Sequence, residues 1–259
     1  MKQIFKFFGV SAIMLFSFYY TEKIALIAKS KSPIMISINE AKENLGVSSV
    51  NAEIKNEYIT PGLNGLEVNI QESFSKMKNF DVFNSYYLVF DQIKPEISLE
   101  NNKNKIIRNG NKLKRSVSII IDSNNDITNY IITNNIKANI LMNIVNYDKT
   151  TNLEILNNEI NEFEKLDTLL NKAELNKKIC FNNKNNIEYC IKKEYYLVEN
   201  NKELNSTNLP LIKSNIESGD IILITQTAKL EDFKLLINQI KYQDLKIIYL
   251  SELITEENN

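Results

Sequence analysis

The sequence predicts an α/β protein whose main domain alternates strands with helices. From Val117 onward, short apolar runs recur at 117–121, 138–145, 178–181, 195–198, 219–224 and 246–250. Stretches with helical spacing lie between them, at 127–133, 153–170, 187–193, 211–217 and 230–241. In the last of these, Leu230, Phe233, Leu236, Ile237 and Ile240 share one face while Glu231 and Lys234 lie off it. Near-continuous apolar strands separated by helices mean a parallel sheet covered on both faces. The 259 residues suffice for one or two domains with a sizeable core. Periodicity alone fits an open doubly wound sheet and a (β/α) barrel equally well.

The N-terminal segment has a different character. Lys2 and Lys6 flank an apolar run over 7–20; Thr21-Glu22-Lys23 interrupts it, and 24–28 is apolar again. A spanning helix takes ~20 residues, so 4–28 suffices if Glu22 and Lys23 lie at headgroup level, with Tyr19 and Tyr20 as interface anchors. Residues 1–29 are therefore expected to be a membrane anchor or, alternatively, a signal peptide, although no A-x-A site precedes Ala28. Lysines on both sides leave the orientation undecided.

Residues 30–112 carry most of the turn chemistry and are expected to form an accessory α+β region ahead of a domain over 113–259. Ser32-Pro33 ends the anchor region. Asn64-Gly65, between Tyr58-Ile59 and the alternating Leu66, Val68 and Ile70, predicts a type I′ hairpin. Asn69-x-x-Glu72 predicts a capping box opening a helix through Lys78. Tyr86 to Phe90 reads as a strand, and 100–105 as a polar loop.

Composition excludes several functions. Lys and Arg number 31 against 32 Asp and Glu, so there is no electrostatic case for nucleic acid. There is no His, which removes His-ligated zinc, a His base and every triad built on one. Six scattered glycines form neither a dinucleotide fingerprint nor a P-loop, so no nucleotide or other cofactor is expected. Cys180 on a predicted strand and Cys190 on the following helix are either a disulfide or two buried thiols; a catalytic Cys lacks a His to lower its pKa.

The end of the chain carries a resemblance. Ile216-Glu-Ser-Gly-Asp-Ile-Ile-Leu-Ile224, the helix closing on Ile240-Lys241, and Leu245-Lys-Ile-Ile-Tyr-Leu-Ser-Glu-Leu-Ile254 are similar to the closing section of polysaccharide deacetylases of the chitin and peptidoglycan deacetylase type. Val117-Ser-Ile-Ile-Ile-Asp122 resembles the family strand ending in T-F-D-D-G, and Asn135-Ile-Lys-Ala-Asn-Ile-Leu141 resembles its N-V-K-A-T-F-F strand. The resemblance covers about 115–254. It implies a distorted, incomplete (β/α) barrel behind a transmembrane helix, with the folded part extracytoplasmic and cell-wall polysaccharide or peptidoglycan as the partner.

The same resemblance implies a degenerate site. Asp122 matches the family's general base, while Ser123 stands where a metal-binding Asp is expected. Asn158 and Glu162 match the two His of H-x-x-x-H, read as four apart on a helix. The Arg-containing segment has become Cys180-Phe-Asn-Asn, and the Leu-His that supplies the acid has become Ile224-Thr225. Deacetylation needs a metal-activated water and an acid for the leaving amine, and this set retains only a remnant base. The expectation is a catalytically inactive, glycan-holding or scaffolding protein of the envelope. Two alternatives are a divergent hydrolase using Asp122 and Glu162 without the usual metal, and a purely structural membrane protein.

Overall fold

The computed structural model describes residues 13–21, 23–24, 30–143 and 153–257. Its described strands are β1 (Glu53–Lys55), β2 (Tyr58–Thr60), β3 (Gly65–Val68), β4 (Phe90–Ile93), β5 (Ile106–Ile107), β6 (Ser116–Asp122), β7 (Ala138–Met142), β8 (Leu153–Asn157), β9 (Ile179–Phe181), β10 (Tyr196–Val198), β11 (Lys202–Leu204), β12 (Ile221–Ile224) and β13 (Lys246–Ile247). The helices are α1 (Pro33–Leu45), α2 (Ile70–Met77), α3 (Asn125–Thr133), α4 (Phe163–Lys172), α5 (Ile187–Lys192), α6 (Leu209–Ser214), α7 (Leu230–Tyr242) and α8 (Leu250–Ile254). Residues 13–21 are also helical. Most of the expected 4–28 membrane segment lies outside the described residues, among which no helix is long and apolar enough to cross a membrane.

The chain divides into two compact units, and the boundary is not at 112/113. One unit comprises Met1–Ser48 and Gly65–Ile93, the other Ser49–Asn64 and Lys94–Asn259. Residues 49–64 and 94–112 join the larger unit because β2 and β10 both pair with β5 in parallel.

In the smaller unit, α1 starts on Ser32, whose Oγ accepts from the Met35 amide at 3.2 Å, with Pro33 following. Asn69 caps α2 by accepting from the Glu72 amide at 2.9 Å. Only half of the predicted box forms, because the Asn69 amide donates to Val89 O instead. The Asn64-Gly65 hairpin does not form. β3 pairs antiparallel with β4, and β2 pairs with β1 around Asn56, which takes the left-handed φ of 56°. The strand predicted at 86–90 is a 3-10 turn at Ser85–Tyr87, with the strand starting only at Phe90.

The larger unit is a parallel α/β assembly. Its main sheet runs β11-β12-β6-β7-β8 with β13 beside β6, all parallel. A second sheet runs β1-β2-β5-β10-β9, parallel except for the β1–β2 hairpin. Among the described residues no hydrogen-bonded ladder joins β8 to β9, so the pairing does not run around a closed ring. β6 is central because its β-branched run is buried from Ser116 through Ile121. Its residues alternate: Ile119 and Ile121 pack with α3 and α7 through Ile127, Ile131, Phe233, Leu236 and Ile240. Ile120 faces the other way, into a core with Leu156, Phe181, Val198 and Ile221.

Two expectations in this unit are corrected. Residues 153–157 are strand β8 rather than the start of a helix, which begins only at Phe163. The last strand, expected over 246–250, is confined to Lys246–Ile247, and helix α8 begins at Leu250. The expected end of β7 at 144–145 lies outside the described residues. Cys180 and Cys190 are joined as a disulfide, with Cα atoms 6.3 Å apart. The short connection after α5, where the Tyr195 amide bonds back to Cys190 O, brings the helix end closer than a usual strand–helix separation.

Candidate functional site

The inner face of the parallel strands has two ends, and α8 plugs the N-terminal one. At the N-terminal end, α8 inserts Leu250, Leu253 and Ile254 into the inner core. Its exposed amides are met by side chains from the strands. The Leu250 amide donates to Asn139 Oδ1 at 3.1 Å, and the Ser251 amide donates to Glu154 Oε2 at 3.0 Å. Asn139 spends its own amide on Ser118 Oγ at 2.8 Å and Ile119 O at 2.9 Å. Lys114 Nζ donates to Glu252 O and Thr255 O, both at 2.6 Å. These buried polar residues act as receptors for a helix, and sequence reasoning missed all of them.

Glu154 is the most consequential member. Burial pushes its carboxyl above the usual range, while the Ser251 hydrogen bonds and Lys177 at 3.9 Å pull the other way. The folded pKa lies above the unfolded one, so the stabilising protonated form is fully present below the unfolded pKa. That stability is lost as pH rises through the folded pKa. Glu154→Gln keeps an acceptor for the Ser251 amide but cannot ionise. The variant is therefore expected to gain stability relative to the wild type between pH 4 and pH 7 in urea unfolding. An identical difference at both pH values would contradict this.

A polar cavity of about 450 Å³ lies beside this plug, lined in part by Lys94, Glu100, Lys103, Lys177 and Ser251. Its lysines are already engaged, Lys94 with Glu100 at 2.5 Å and Lys103 with Glu194 at 2.9 Å. The candidate site therefore belongs at the opposite, C-terminal ends of the strands, where loops of parallel α/β folds carry function.

Asp122 is the last residue of β6, on the Ile120 face, and is partly exposed. The β6–β12 register sets Ile224 beside Ile121, which places Thr225 at the level of Asp122 on the neighbouring strand. Asn124 fastens the two strand ends together: its Nδ2 donates to Ala228 O at 3.0 Å, and its Oδ1 caps α3 by accepting from the Ile127 amide at 3.2 Å. Ser123 between them is exposed, with a left-handed φ of 47°. The Asn158 amide donates to Met142 O at 2.8 Å, extending the β8 ladder by one residue. The structure thus groups Asp122 with Thr225 and places Asn158 two strands away.

The expected helical spacing of Asn158 and Glu162 is not found. Both lie in the connection between β8 and α4, which turns because Asn157 Oδ1 accepts from the Glu159 amide at 3.0 Å. Glu162 is exposed and paired with Lys165 at 3.2 Å, so it is not held as a partner for Asp122. The Thr225 hydroxyl donates to Leu204 O at 3.1 Å and lies 3.1 Å from Thr227 Oγ1.

The donor set here does not fit a transition metal of the family type. It offers one carboxylate, two hydroxyls and one amide, whereas imidazole and thiolate supply most zinc affinity. Among the described residues, no three of His, Cys, Asp and Glu are grouped to hold a metal. The asparagines of the loops at 182–186 and 199–208 are also largely spent on their own turns. Asn182 Nδ2 donates to Asn200 Oδ1 at 2.7 Å, Asn183 Oδ1 accepts from the Asn186 amide at 3.1 Å, and Asn208 Oδ1 accepts from the Asn205 amide at 2.9 Å.

Comparison with known proteins identifies the fold. A CE4 family pseudoenzyme from Bacillus anthracis superposes with a TM-score of 0.57 at 19% identity, over 87% of this chain and 96% of that one. A mutant of that pseudoenzyme with restored enzymatic activity matches equally, at 0.57 and 19% over 87% and 99% of the two chains. The chain thus has the α/β fold of polysaccharide deacetylases. Among curated proteins, the uncharacterised YlxY of Bacillus subtilis (strain 168) is 34% identical over 97 residues, which is 37% of this chain. The match spans only 30% of YlxY's own length. No model of a known protein family matches the chain.

Proposed function

We propose that this protein is a catalytically inactive, deacetylase-like module of the cell envelope, held at the membrane by residues 4–28 with its folded part outside the cytoplasm. It would bind or position wall glycan rather than cut its acetyl groups, and the two sheets are read as a distorted, incomplete barrel. The observation that carries this is the chemistry of the strand ends. Asp122 is the carboxylate that ends β6, and Thr225, whose hydroxyl is committed to Leu204 O, stands where the family's acid is expected. The fold likeness to a pseudoenzyme supports the same reading.

A glycan ligand would meet Asp122, Ser123 and Asn158, a set of oxygen and amide groups suited to hydroxyl and acetamido recognition. Titration with N-acetylated chitooligosaccharides is expected to give a binding isotherm that weakens at least several-fold in a double Asp122→Ala, Asn158→Ala variant. No isotherm with chitooligosaccharide or soluble peptidoglycan fragments would remove glycan binding and leave the scaffolding role.

A further inference from the structure

The smaller unit presents an apolar loop whose exposure the function above does not use. After α2 ends, the chain from Asn79 to Leu88 turns sharply, with the Phe80 amide bonded to Met77 O at 2.9 Å and Asp81 at a left-handed φ of 55°. Phe83 and Leu88 point inward, against a core with Ile34, Ile38, Val68 and Met77. Phe80, Val82 and Tyr86 point outward and are 62%, 65% and 93% exposed. Tyr87 joins them, its ring stacked on Phe80 with centroids 5.5 Å apart. Phe80, Val82 and Tyr87 line one depression of about 450 Å³, and Tyr86 stands next to Tyr87 in the 3-10 turn Ser85–Tyr87.

We propose that this loop is a membrane-docking element, seating Phe80, Val82, Tyr86 and Tyr87 in the interfacial layer of a bilayer with acidic headgroups. Contiguous exposed apolar groups mark interaction surfaces, and aromatic side chains favour the membrane interface. The end of the loop is held by its own bonds: Asn84 Oδ1 accepts from the Tyr86 amide at 3.0 Å, and the Tyr87 and Leu88 amides bond to Asn84 O and Ser85 O. Exposed Lys76 and Lys78 stand at its base, suited to anionic lipid, against Asp81 as the loop's one acid.

A glycan fits the patch less well. Val82 offers no stacking face, Phe80 and Tyr87 already cover one face of each other, and the Asn84 amide oxygen is committed to the turn. Chain geometry supplies the bilayer. The inference rests on the reading of residues 4–28 as a membrane segment. That segment leads into the same unit, with the chain from Ala28 to Pro33 reaching at most roughly 18 Å. A tether of that length makes docking intramolecular, so a weak patch suffices.

The chain contains no Trp, so one introduced Trp is a unique fluorophore. The full chain carrying Tyr86→Trp is reconstituted into phosphatidylglycerol–phosphatidylcholine vesicles with or without brominated acyl chains, and vesicle flotation is scored alongside. The expected result is blue-shifted emission quenched at least two-fold by bromolipid. A Tyr242→Trp chain, whose reporter replaces a residue 86% exposed in the other unit, should emit as in water. Flotation without quenching of the Tyr86→Trp reporter overturns the docking loop and spares the anchor. Failure to float overturns both. A blue shift with chitooligosaccharide but not with vesicles assigns the patch to glycan and overturns the lipid proposal.

Discussion

Chains truncated after Asp244 are expected to lose cooperative unfolding and to be recovered insoluble or protease-sensitive. The cut removes β13 from its place beside β6, leaving the backbone of Ser116 and Val117 unpaired on that side. It also removes α8, whose Leu250, Leu253 and Ile254 are each at most 2% exposed. Three such side chains contribute on the order of 5–9 kcal/mol, comparable with the ~5–15 kcal/mol total of an ordinary domain. Asn139 and Glu154 would in addition lose the Leu250 and Ser251 amides and remain as buried acceptors without donors. The Leu99 amide, 2.9 Å from Glu256, and the Gly62 amide, 3.2 Å from it, would lose their acceptor. The milder Leu253→Ala is expected to fold and lose ~2–5 kcal/mol in urea denaturation. A truncated chain with an unchanged thermal transition would contradict the plug described for this end.

Gly219→Ala is expected to be among the most damaging single substitutions, costing roughly 3 kcal/mol or more. Gly219 holds a φ of +92°, and an added Cβ would sit 2.4 Å from Gly110 O, a backbone atom that cannot swing aside. The position is tied on both sides: its amide donates to Ser116 O at 2.7 Å, and its carbonyl accepts from the Gly110 amide at 2.8 Å. Relief of the clash must break at least one of those bonds or shift the start of β12 relative to β6. Urea unfolding is the check, and a variant within about 0.5 kcal/mol of wild type would mean that this close approach is absent.

The parts of the fold legible in the sequence are those built from contiguous chain. β6 could be read from Val117 and the β-branched run Ile119 to Ile121, and α7 from the spacing of Phe233, Leu236, Ile237 and Ile240, all of which are buried. β8 was not legible because Leu153 and Leu156 fall in helical phase with Phe163, Leu166 and Leu170, while the buried polar Glu154 and Asn157 interrupt its apolar character. Asn64-Gly65 carried a strong hairpin signal, but β3 instead pairs with β4, a partner far along the chain. The candidate site divides in the same way. Asp122 at a strand end could be read locally. The roles of Asn139 and Glu154 could not, because their partners lie 111 and 97 positions away. Asn124 likewise gains its cross-link from residues about a hundred positions on.

The central claim is that the strand ends around Asp122 no longer support deacetylation, and acetate release tests it most directly. The full chain, incubated with N-acetylated chitooligosaccharides or peptidoglycan with and without zinc, cobalt or manganese, is expected to release no acetate above a blank. On the proposed reading the missing acid alone would cost ~10²–10⁴-fold in rate, because a Thr225 hydroxyl cannot protonate a leaving amine near neutral pH. Metal-dependent acetate release that disappears in Asp122→Asn would contradict the account and restore an enzyme at this site.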